Sequence, residues 1–402
     1  MKPSPVAIAP SSLGGAATYS DRYKYLWGLA LISPLTPLLG AYLEAKTGLG
    51  AFTWVTIALW FGLVPIADWI IGPDAHNNPP EKAVPQLEQD PFYRYLTYCT
   101  VPIHYGVFLG CVWYVGTHQL DWLGLAGLTL ALGLVNGMAI NVGHELGHKN
   151  SVLEHWLAKA VLALVGYGHF YIEHNKGHHR YVATPEDPAS ARFGESIYQF
   201  ARREIPGAWR RAWETERSRL VRKGKNQWSW ENQILQPLAL TFLLYGTLVA
   251  LFGIMIVPFL IAQAAIGWWQ LTLANYIEHY GLLRLKMPDG RYERCRPEHS
   301  WNSNHLISNF VLLHLQRHSD HHANPMRRYQ SLRNFEGIPQ LPAGYPAMYL
   351  LALIPPLWRR VMDPLLLKQV KGDMSRVNIG PRHEELRRAA GEGSGGCLPE
   401  QA

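Results

Sequence analysis

The chain has 402 residues, which is enough for one large domain or two ordinary ones. Its four cysteines are scattered without a CxxC pair, which argues against a disulfide framework, an iron–sulfur cluster and a structural zinc ribbon. The net charge of +7 comes without a basic helix or stacking motif typical of nucleic-acid-binding proteins, so we expect no nucleic-acid partner.

The chain begins with a segment rich in Pro, Ser, Ala and Gly, and we predict a mobile tail over residues 1–20. Apolar runs follow, each close to the roughly 20 residues that a helix needs to cross a bilayer. We expect Gly48-Leu49-Gly50 and Pro258 to mark tight turns within the first and last pairs of these runs. The six runs cover residues 24–45, 51–72, 96–117, 122–143, 235–257 and 259–281.

These runs predict an all-α polytopic membrane protein with a histidine-rich cytoplasmic cap. Four transmembrane helices fall within residues 21–145 and two within 233–283. If the amino terminus is cytoplasmic, every lysine and arginine except Lys46 lies on the cytoplasmic side, as the positive-inside rule requires. Clusters of this charge also suit a lipid membrane as a partner surface.

The first part of the predicted cap is a cytoplasmic helical region over residues 146–232. Its segment 152–171 is apolar, but Glu154, His155 and Lys159 interrupt it, which favours a buried helix outside the bilayer. The alternative is a seventh span, which would reverse the side of everything that follows.

The second part of the predicted cap covers residues 284–380. Within it, residues 345–367 are apolar but broken by Pro355-Pro356 and Arg359-Arg360, so we predict an interfacial or re-entrant helix. The last residues, 381–402, are Gly-rich and are predicted to form a flexible tail.

Histidines follow the predicted cytoplasmic ends of the spans, in the windows HELGHK, EHNKGHHR, NYIEHYG and RHSDHH. Neutral imidazole is the commonest protein ligand for transition metals. Nine histidines exceed the four ligands of a tetrahedral zinc site, so two ions with open coordination positions use them more naturally. The predicted metal ligands are His144, His148, His174, His178, His179, His279, His318, His321 and His322.

The spacing of these histidines indicates which of them could bind one ion together, but it leaves the division of all nine between two ions open. His144 and His148 lie four residues apart, so on a helix they share a face and can bind one ion. His174 and His178 repeat that spacing, and His179 would point about 100° away from them on the same helix.

Polar side chains next to the histidines are candidates for holding the imidazoles in place. A metal-bound imidazole usually donates its other N–H to a carboxylate or carbonyl group. The alternative is that these groups are solvated charges at helix ends, or for the asparagine a partner of the backbone. They are Glu145, Glu173, Asp187, Asn275, Glu278 and Asp320.

The four windows resemble those of the integral-membrane di-iron oxygenases, the superfamily of fatty-acid desaturases, lipid hydroxylases and alkane hydroxylases. Within it, HELGHK, EHNKGHH with TPEDPASAR, NYIEHYGLLR and LQRHSDHHANPMRRYQSL resemble the bacterial alkane 1-monooxygenases over roughly residues 20–380. NYIEHYG is the most discriminating motif. The resemblance implies that the nine histidines bind two iron ions.

The resemblance further implies hydroxylation of the terminal carbon of medium- to long-chain n-alkanes, with O₂ as co-substrate and electrons from rubredoxin and its reductase. It also implies the bacterial inner membrane, with the active site on the cytoplasmic side. The sequence lacks a GxGxxG motif, a flavin signature and rubredoxin cysteines, so the electrons must come from outside. The basic segment 202–225 and Arg327-Arg328 are candidates for docking the donor, and anionic lipid headgroups are the alternative partner.

Two residues inside the spans are candidates for the substrate pocket. Trp60 lies in the middle of the second run and would limit the depth to which an alkane enters, whereas a packing or lipid-facing aromatic is the alternative. His104 lies within the third run, where an ionisable group is costly and usually faces a partner. It either borders the site or is a packed, hydrogen-bonded histidine.

Two other functions remain in competition at this point. A fatty-acyl desaturase or ω-hydroxylase would use the same metal architecture. A divalent-metal transporter belongs to a different class, but transporters place their sites near the middle of the bilayer, whereas these histidines follow the ends of the spans. The sequence leaves the oligomeric state open.

Overall fold

The structure is a computed structural model, which describes residues 19–380. Within these residues the chain is helical, and strand pairing is limited to isolated bridges such as the one between Leu282 and Val377. The all-α prediction is therefore confirmed. The predicted tails lie outside the described residues, apart from Tyr19 and Ser20.

The predicted spans correspond to helices that are long and apolar enough to cross a membrane. The prediction of a multi-pass membrane protein is therefore confirmed. In chain order the six spans are Lys24–Thr47, Gly50–Ile71, Pro91–Thr117, Trp122–Gly147, Leu235–Phe252 and Ile254–His279.

Glycines in the left-handed region close both hairpins between paired spans. Gly48 has φ +70° and ends the first span, as predicted. The turn between the fifth and sixth spans lies at Gly253, with φ +83°, and not at Pro258. Pro258 instead occupies the first turn of the helix that begins at Val257, where the missing N–H of proline has no helical partner to lose.

The fourth span lies at the centre of the bundle and packs against the sixth. Glycines allow this close approach, because a Cβ at Gly133 would lie 2.5 Å from the Cβ of Ile266. Within the same contact, Asn136 donates a hydrogen bond of 2.6 Å to Gln263. The tight packing fixes the relative height of the two spans, both of which end in the histidine windows.

The cap consists of shorter helices. The segment predicted as a helix outside the spans contains Val152–Ala163, which is not among the six spans. The segment 345–367, predicted as one interfacial helix, contains two helices, because the chain breaks before Pro355-Pro356. Other helices of the cap include Val84–Gln89, Ile197–Arg222, Leu306–Val311 and His318–Ala323.

Candidate metal centre

The nine predicted histidines converge in the cap, directly beyond the ends of the fourth and sixth spans. They form two groups, within each of which the potential ligand nitrogens all lie within 4.8 Å of one another. The five-histidine group contains His144, His148, His174, His179 and His321. The four-histidine group contains His178, His279, His318 and His322.

In the five-histidine group the Nε2 atoms face one another across a small space. The Nε2 atom of His321 lies 2.8 Å from that of His144 and 3.1 Å from that of His179. The Nε2 atom of His179 is also 3.0 Å from that of His174. These three segments, the fourth span, the loop after it and the helix His318–Ala323, therefore meet at one point.

In the four-histidine group the Nε2 atoms also lie close to one another. The Nε2 atom of His318 lies 2.8 Å from that of His322 and 3.2 Å from that of His279. His318 and His322 are four residues apart on one short helix, and His279 is the last residue of the sixth span.

A metal ion in each group fits these residues better than hydrogen bonding does. Two facing Nε2 atoms can share only one proton, so mutually facing imidazoles cannot all be satisfied by hydrogen bonds. The Nε2 atoms of His148 and His178 are buried without any hydrogen-bond partner, which is costly unless a cation binds them. Each group therefore brings several nitrogen donors together, and some of their lone pairs have no hydrogen-bond partner, as expected of a transition-metal site.

The protonation state also suits metal binding. Burial, together with neighbouring histidines, holds the pKa of His174, His321 and His322 well below the usual range. These imidazoles are therefore neutral at pH 7 and present free electron pairs, which is the form that binds a metal.

The loop after the fourth span groups its histidines differently from what their spacing on an α-helix suggests. His174 and His178 were expected to share an ion, but they lie in different groups, and His174 is grouped with His179. The reason is that Glu173–His178 is a π-helical turn, with more residues per turn than an α-helix. In such a turn, side chains five residues apart lie closer to one face than they do on an α-helix, so His179 can join His174.

Asp187 holds one histidine of the four-histidine group. Its carboxylate lies 2.9 Å from the Nδ1 atom of His178 and accepts hydrogen bonds from Ser190 and Arg211. Burial alone would raise the pKa of Asp187, but His178 and Arg211 hold it below its usual range. Arg211 also pairs with Glu173, so two of the predicted carboxylates meet at one arginine.

The remaining predicted polar groups have other partners. Glu145 pairs with Lys149 at 3.1 Å, and Asp320 pairs with Arg327 at 3.0 Å. The carboxylate of Glu278 lies 3.3 Å from the Nε2 atom of His318 and accepts a hydrogen bond from Tyr345. Asn275 donates a hydrogen bond to Glu204.

Several residues of the site carried no signal in the sequence. Arg211 lies on the helix Ile197–Arg222, 24 residues after its partner Asp187, and basic residues are frequent along that helix. Tyr345 lies 67 residues after Glu278. Asn141 is one turn before His144, and its Oδ1 atom is 3.4 Å from the Nδ1 atom of that histidine. Only the last of these could have been found, from its helical spacing.

A largely apolar cavity leads from the spans to the histidines. It encloses about 550 Å³ of space free of protein atoms, including its open mouth. Trp60 lines it and is buried, at a π-helical turn of the second span. The lining near the metal groups consists of Asn275, Glu278, His144, His174 and His318.

His104 does not line this cavity. It lies in a smaller neighbouring cavity with Ser33, and Met138 and Asn141 belong to the walls of both cavities. The Nδ1 atom of His104 is buried without a hydrogen-bond partner. His104 is therefore packed beside the candidate site rather than within it.

Comparison with known proteins agrees with this architecture. Residues 120–351 match the fatty acid desaturase family. The chain is 56% identical to an alkane 1-monooxygenase of Ectopseudomonas oleovorans, over 91% of each chain, and 56% identical to one of Pseudomonas putida, over 92% of each. It is also 30% identical to the hydroxylase component of a xylene/toluene monooxygenase of Pseudomonas putida, over 76% of this chain and 81% of that one. The chain therefore belongs to the fatty acid desaturase family, among the alkane 1-monooxygenases.

Proposed function

We propose that this chain hydroxylates the terminal carbon of medium- to long-chain n-alkanes to 1-alkanols, using O₂ and two electrons from reduced rubredoxin. The observation that carries the proposal is the cavity, because an apolar passage from the spans ends at two groups of histidines. The names of the relatives, which are 54–56% identical over nine-tenths of the chain, support the same reaction.

The metal in our proposal is iron, with one ion in each histidine group. Histidine-rich, carboxylate-poor sites suit iron, copper, zinc or nickel rather than magnesium or calcium. Among these, iron and copper support the O₂-dependent oxidation that a hydroxylation needs, and iron is the metal that the resemblance to the di-iron oxygenases implies. The Nε2 atoms of the five-histidine and four-histidine groups hold the two ions, and Asp187 holds the ring of His178 by its Nδ1 atom.

The cavity supplies orientation and selectivity. An n-alkane has no polar group to bind, and its burial from water gains about 0.8 kcal/mol per CH₂. Taking the alkane from the bilayer gains far less, so the length and shape of the cavity must select the substrate. In our proposal Trp60 limits the depth available to the chain, and the methyl end lies at the histidine end of the cavity. The surrounding apolar walls exclude water from the reacting carbon.

The electron donor would dock on a groove lined by basic residues. Arg192, Arg202, Arg203 and Arg210 line it together with Arg211, which pairs with Asp187 beside the four-histidine group. Such a surface attracts an acidic redox protein such as rubredoxin and orients it toward the metals. The excess of arginine on this face also supports a cytoplasmic position for the cap in the bacterial inner membrane.

Metal analysis and product analysis test this proposal together. Purified protein in lipid nanodiscs should contain two irons per chain and form 1-octanol from octane only with reduced rubredoxin. The variants His144→Ala and His318→Ala, one from each group, should each lose iron and activity, whereas His118→Ala, at an exposed position, should retain both. Turnover of fatty-acyl substrates alone would support a desaturase or ω-hydroxylase instead.

A further inference from the structure

A carboxyl group that the metal centre does not use lies buried behind the wall of the cavity. Glu204 is on the helix Ile197–Arg222, whose inner face otherwise carries small and apolar residues around it, among them Phe200, Ala201 and Ala208. The side chain of Glu204 is about 1% exposed. A carboxyl group in such a position is unfavourable unless it is neutral or paired.

No cation pairs with Glu204 within residues 19–380. Its two oxygens accept hydrogen bonds from the Thr272 hydroxyl at 2.9 Å and from the Asn275 amide at 3.2 Å, both on the sixth span. By contrast, Glu216 is buried on the same helix and pairs with Arg219 at 2.6 Å. Glu204 is therefore held by neutral donors alone.

This environment makes the proton on Glu204 exchangeable near neutral pH. Burial raises the pKa of Glu204 to about 7, and the negative charges of Glu173 and Asp187 act in the same direction. The other titratable group that faces it is Tyr167, and the sixth span contributes only Thr272 and Asn275. A group with a pKa near the working pH can both donate and recover a proton.

The position of Glu204 places this proton between solvent and the cavity. Its partner Asn275 lines the cavity three residues before Glu278, so one side chain separates the Glu204 carboxyl from the cavity. On the outer side, Arg203 and Gly207 of the same helix line the surface groove. Solvent thus reaches the same helical turn from which Glu204 projects inward.

We propose that Glu204 supplies a proton to the reaction, past the Asn275 amide, and recovers it from cytoplasmic water. This inference rests on the proposed function. Hydroxylation converts R–CH₃, O₂, two electrons and two protons to R–CH₂OH and H₂O. The O–O bond breaks, one oxygen enters the C–H bond, and the other takes both protons and leaves as water. Rubredoxin supplies the electrons, and Glu204 supplies one of the protons to the departing oxygen.

The test is Glu204→Gln, studied in the iron-loaded protein in nanodiscs with reduced rubredoxin and octane. Glutamine can accept the hydrogen bond from the Asn275 amide at its oxygen and donate one to the Thr272 hydroxyl, but it carries no acidic proton, so the fold should be preserved. We expect kcat to fall about 10- to 100-fold, within the lower part of the range for a lost proton donor, with little change in KM. The fraction of electrons recovered in 1-octanol should fall, and hydrogen peroxide should appear.

The pH profile separates this role from a structural one. Because Glu204 must be protonated to donate, kcat of the wild type should fall as pH rises through about 7. This decrease with pH should be absent in Glu204→Gln. Glu204→Asp, which keeps a carboxyl group, should retain part of the activity and the decrease of kcat with rising pH. The matched control Glu216→Gln, which removes another buried carboxyl from the same helix, should leave the pH profile and the fraction of electrons recovered in 1-octanol unchanged.

Two results would overturn the assignment. One is that Glu204→Gln keeps the pH profile of the wild type and the same fraction of electrons recovered in 1-octanol. The other is that kcat falls as much in Glu216→Gln as in Glu204→Gln. Infrared spectroscopy gives a readout without turnover, since the difference between the wild type and Glu204→Gln should contain the C=O stretch of a protonated carboxylic acid that titrates near pH 7. If the wild type shows this band but forms no 1-octanol, the proposed substrate is wrong, whereas the protonated state of Glu204 is confirmed.

Discussion

At the scale of single residues, Asp187 connects an arginine of the surface groove to a histidine of the candidate metal centre. It lies between Arg211, at 2.7 Å, and the Nδ1 atom of His178, at 2.9 Å. Such a contact fixes the ring orientation and the tautomer of a ligand and raises its basicity. The contribution of Asp187 to metal binding is therefore separable from that of His178 itself.

We expect Asp187→Asn to weaken metal binding about 10- to 100-fold, because the amide keeps the shape but loses the charge that faces His178. The measurement is the iron retained after dialysis against a graded series of chelator concentrations. Only the ion of the four-histidine group should be lost. Asp289→Asn changes an exposed carboxylate and serves as the control. Full retention of both ions in Asp187→Asn would contradict this role.

Trp60 is the second residue whose role can be measured in isolation. Trp60→Ala should deepen the cavity and shift turnover from octane toward longer alkanes, because the indole occupies part of the lining. The readout is the ratio of products from mixed octane and hexadecane. Trp69→Ala provides the matched control, since Trp69 lies on the same span and its side chain is 83% exposed. An unchanged ratio would assign Trp60 to packing alone.

At the scale of elements, the π-helical turn Glu173–His178 decides which histidines share an ion. Gly177 lies in this turn, where a Cβ atom would be 2.5 Å from the Nε atom of Arg211. Arg211 is held on its other side by Glu173 and Asp187, so it has little freedom to move away. The glycine therefore permits the close approach of the turn to the long cap helix.

Gly177→Ala should consequently displace Arg211 and lower both the thermal midpoint of unfolding and the iron content. The effect should resemble that of Asp187→Asn with added instability. Gly106→Ala, in the third span, has no atom within 4 Å of the new Cβ and should be neutral or slightly stabilising. Equal behaviour of the two variants would show that the turn tolerates a side chain.

The elements also show what the sequence could and could not predict. The six spans were readable because length and hydropathy are properties of each segment alone. The nine histidines were readable because they follow the span ends. The division into groups was not, since a π-helical turn at 173–178 changes the angle between successive side chains without a marker in composition. The turn at Gly253 was misplaced because proline is compatible with a helix start as well as with a hairpin.

Contacts between residues far apart in the sequence could not be predicted either. Arg211 and Glu204 lie on one helix of mixed charge, and no spacing distinguishes them from other charged residues of that helix, such as Arg210. Their roles arise only from packing of this helix against the sixth span and the loop after the fourth.

At the scale of the whole molecule, the six spans and the distribution of arginine and lysine predict one orientation in the membrane. Alkaline phosphatase, which needs its disulfides to be active, should be active when fused after His118 and inactive when fused after Lys225. A green fluorescent protein at the same two positions should give the opposite pattern. Activity of the phosphatase after Lys225 would show that Val152–Ala163 crosses the membrane as a seventh span.

The wide separation of the histidines along the chain has a consequence for biogenesis. The donors extend from His144 to His322, with the fifth and sixth spans between them. Neither histidine group is complete until the chain has been translated past His321 and His322. A chain cut before the fifth span would leave each half with only part of both groups. Completion of the two candidate metal sites is thus a late step of synthesis, which follows insertion of the fifth and sixth spans.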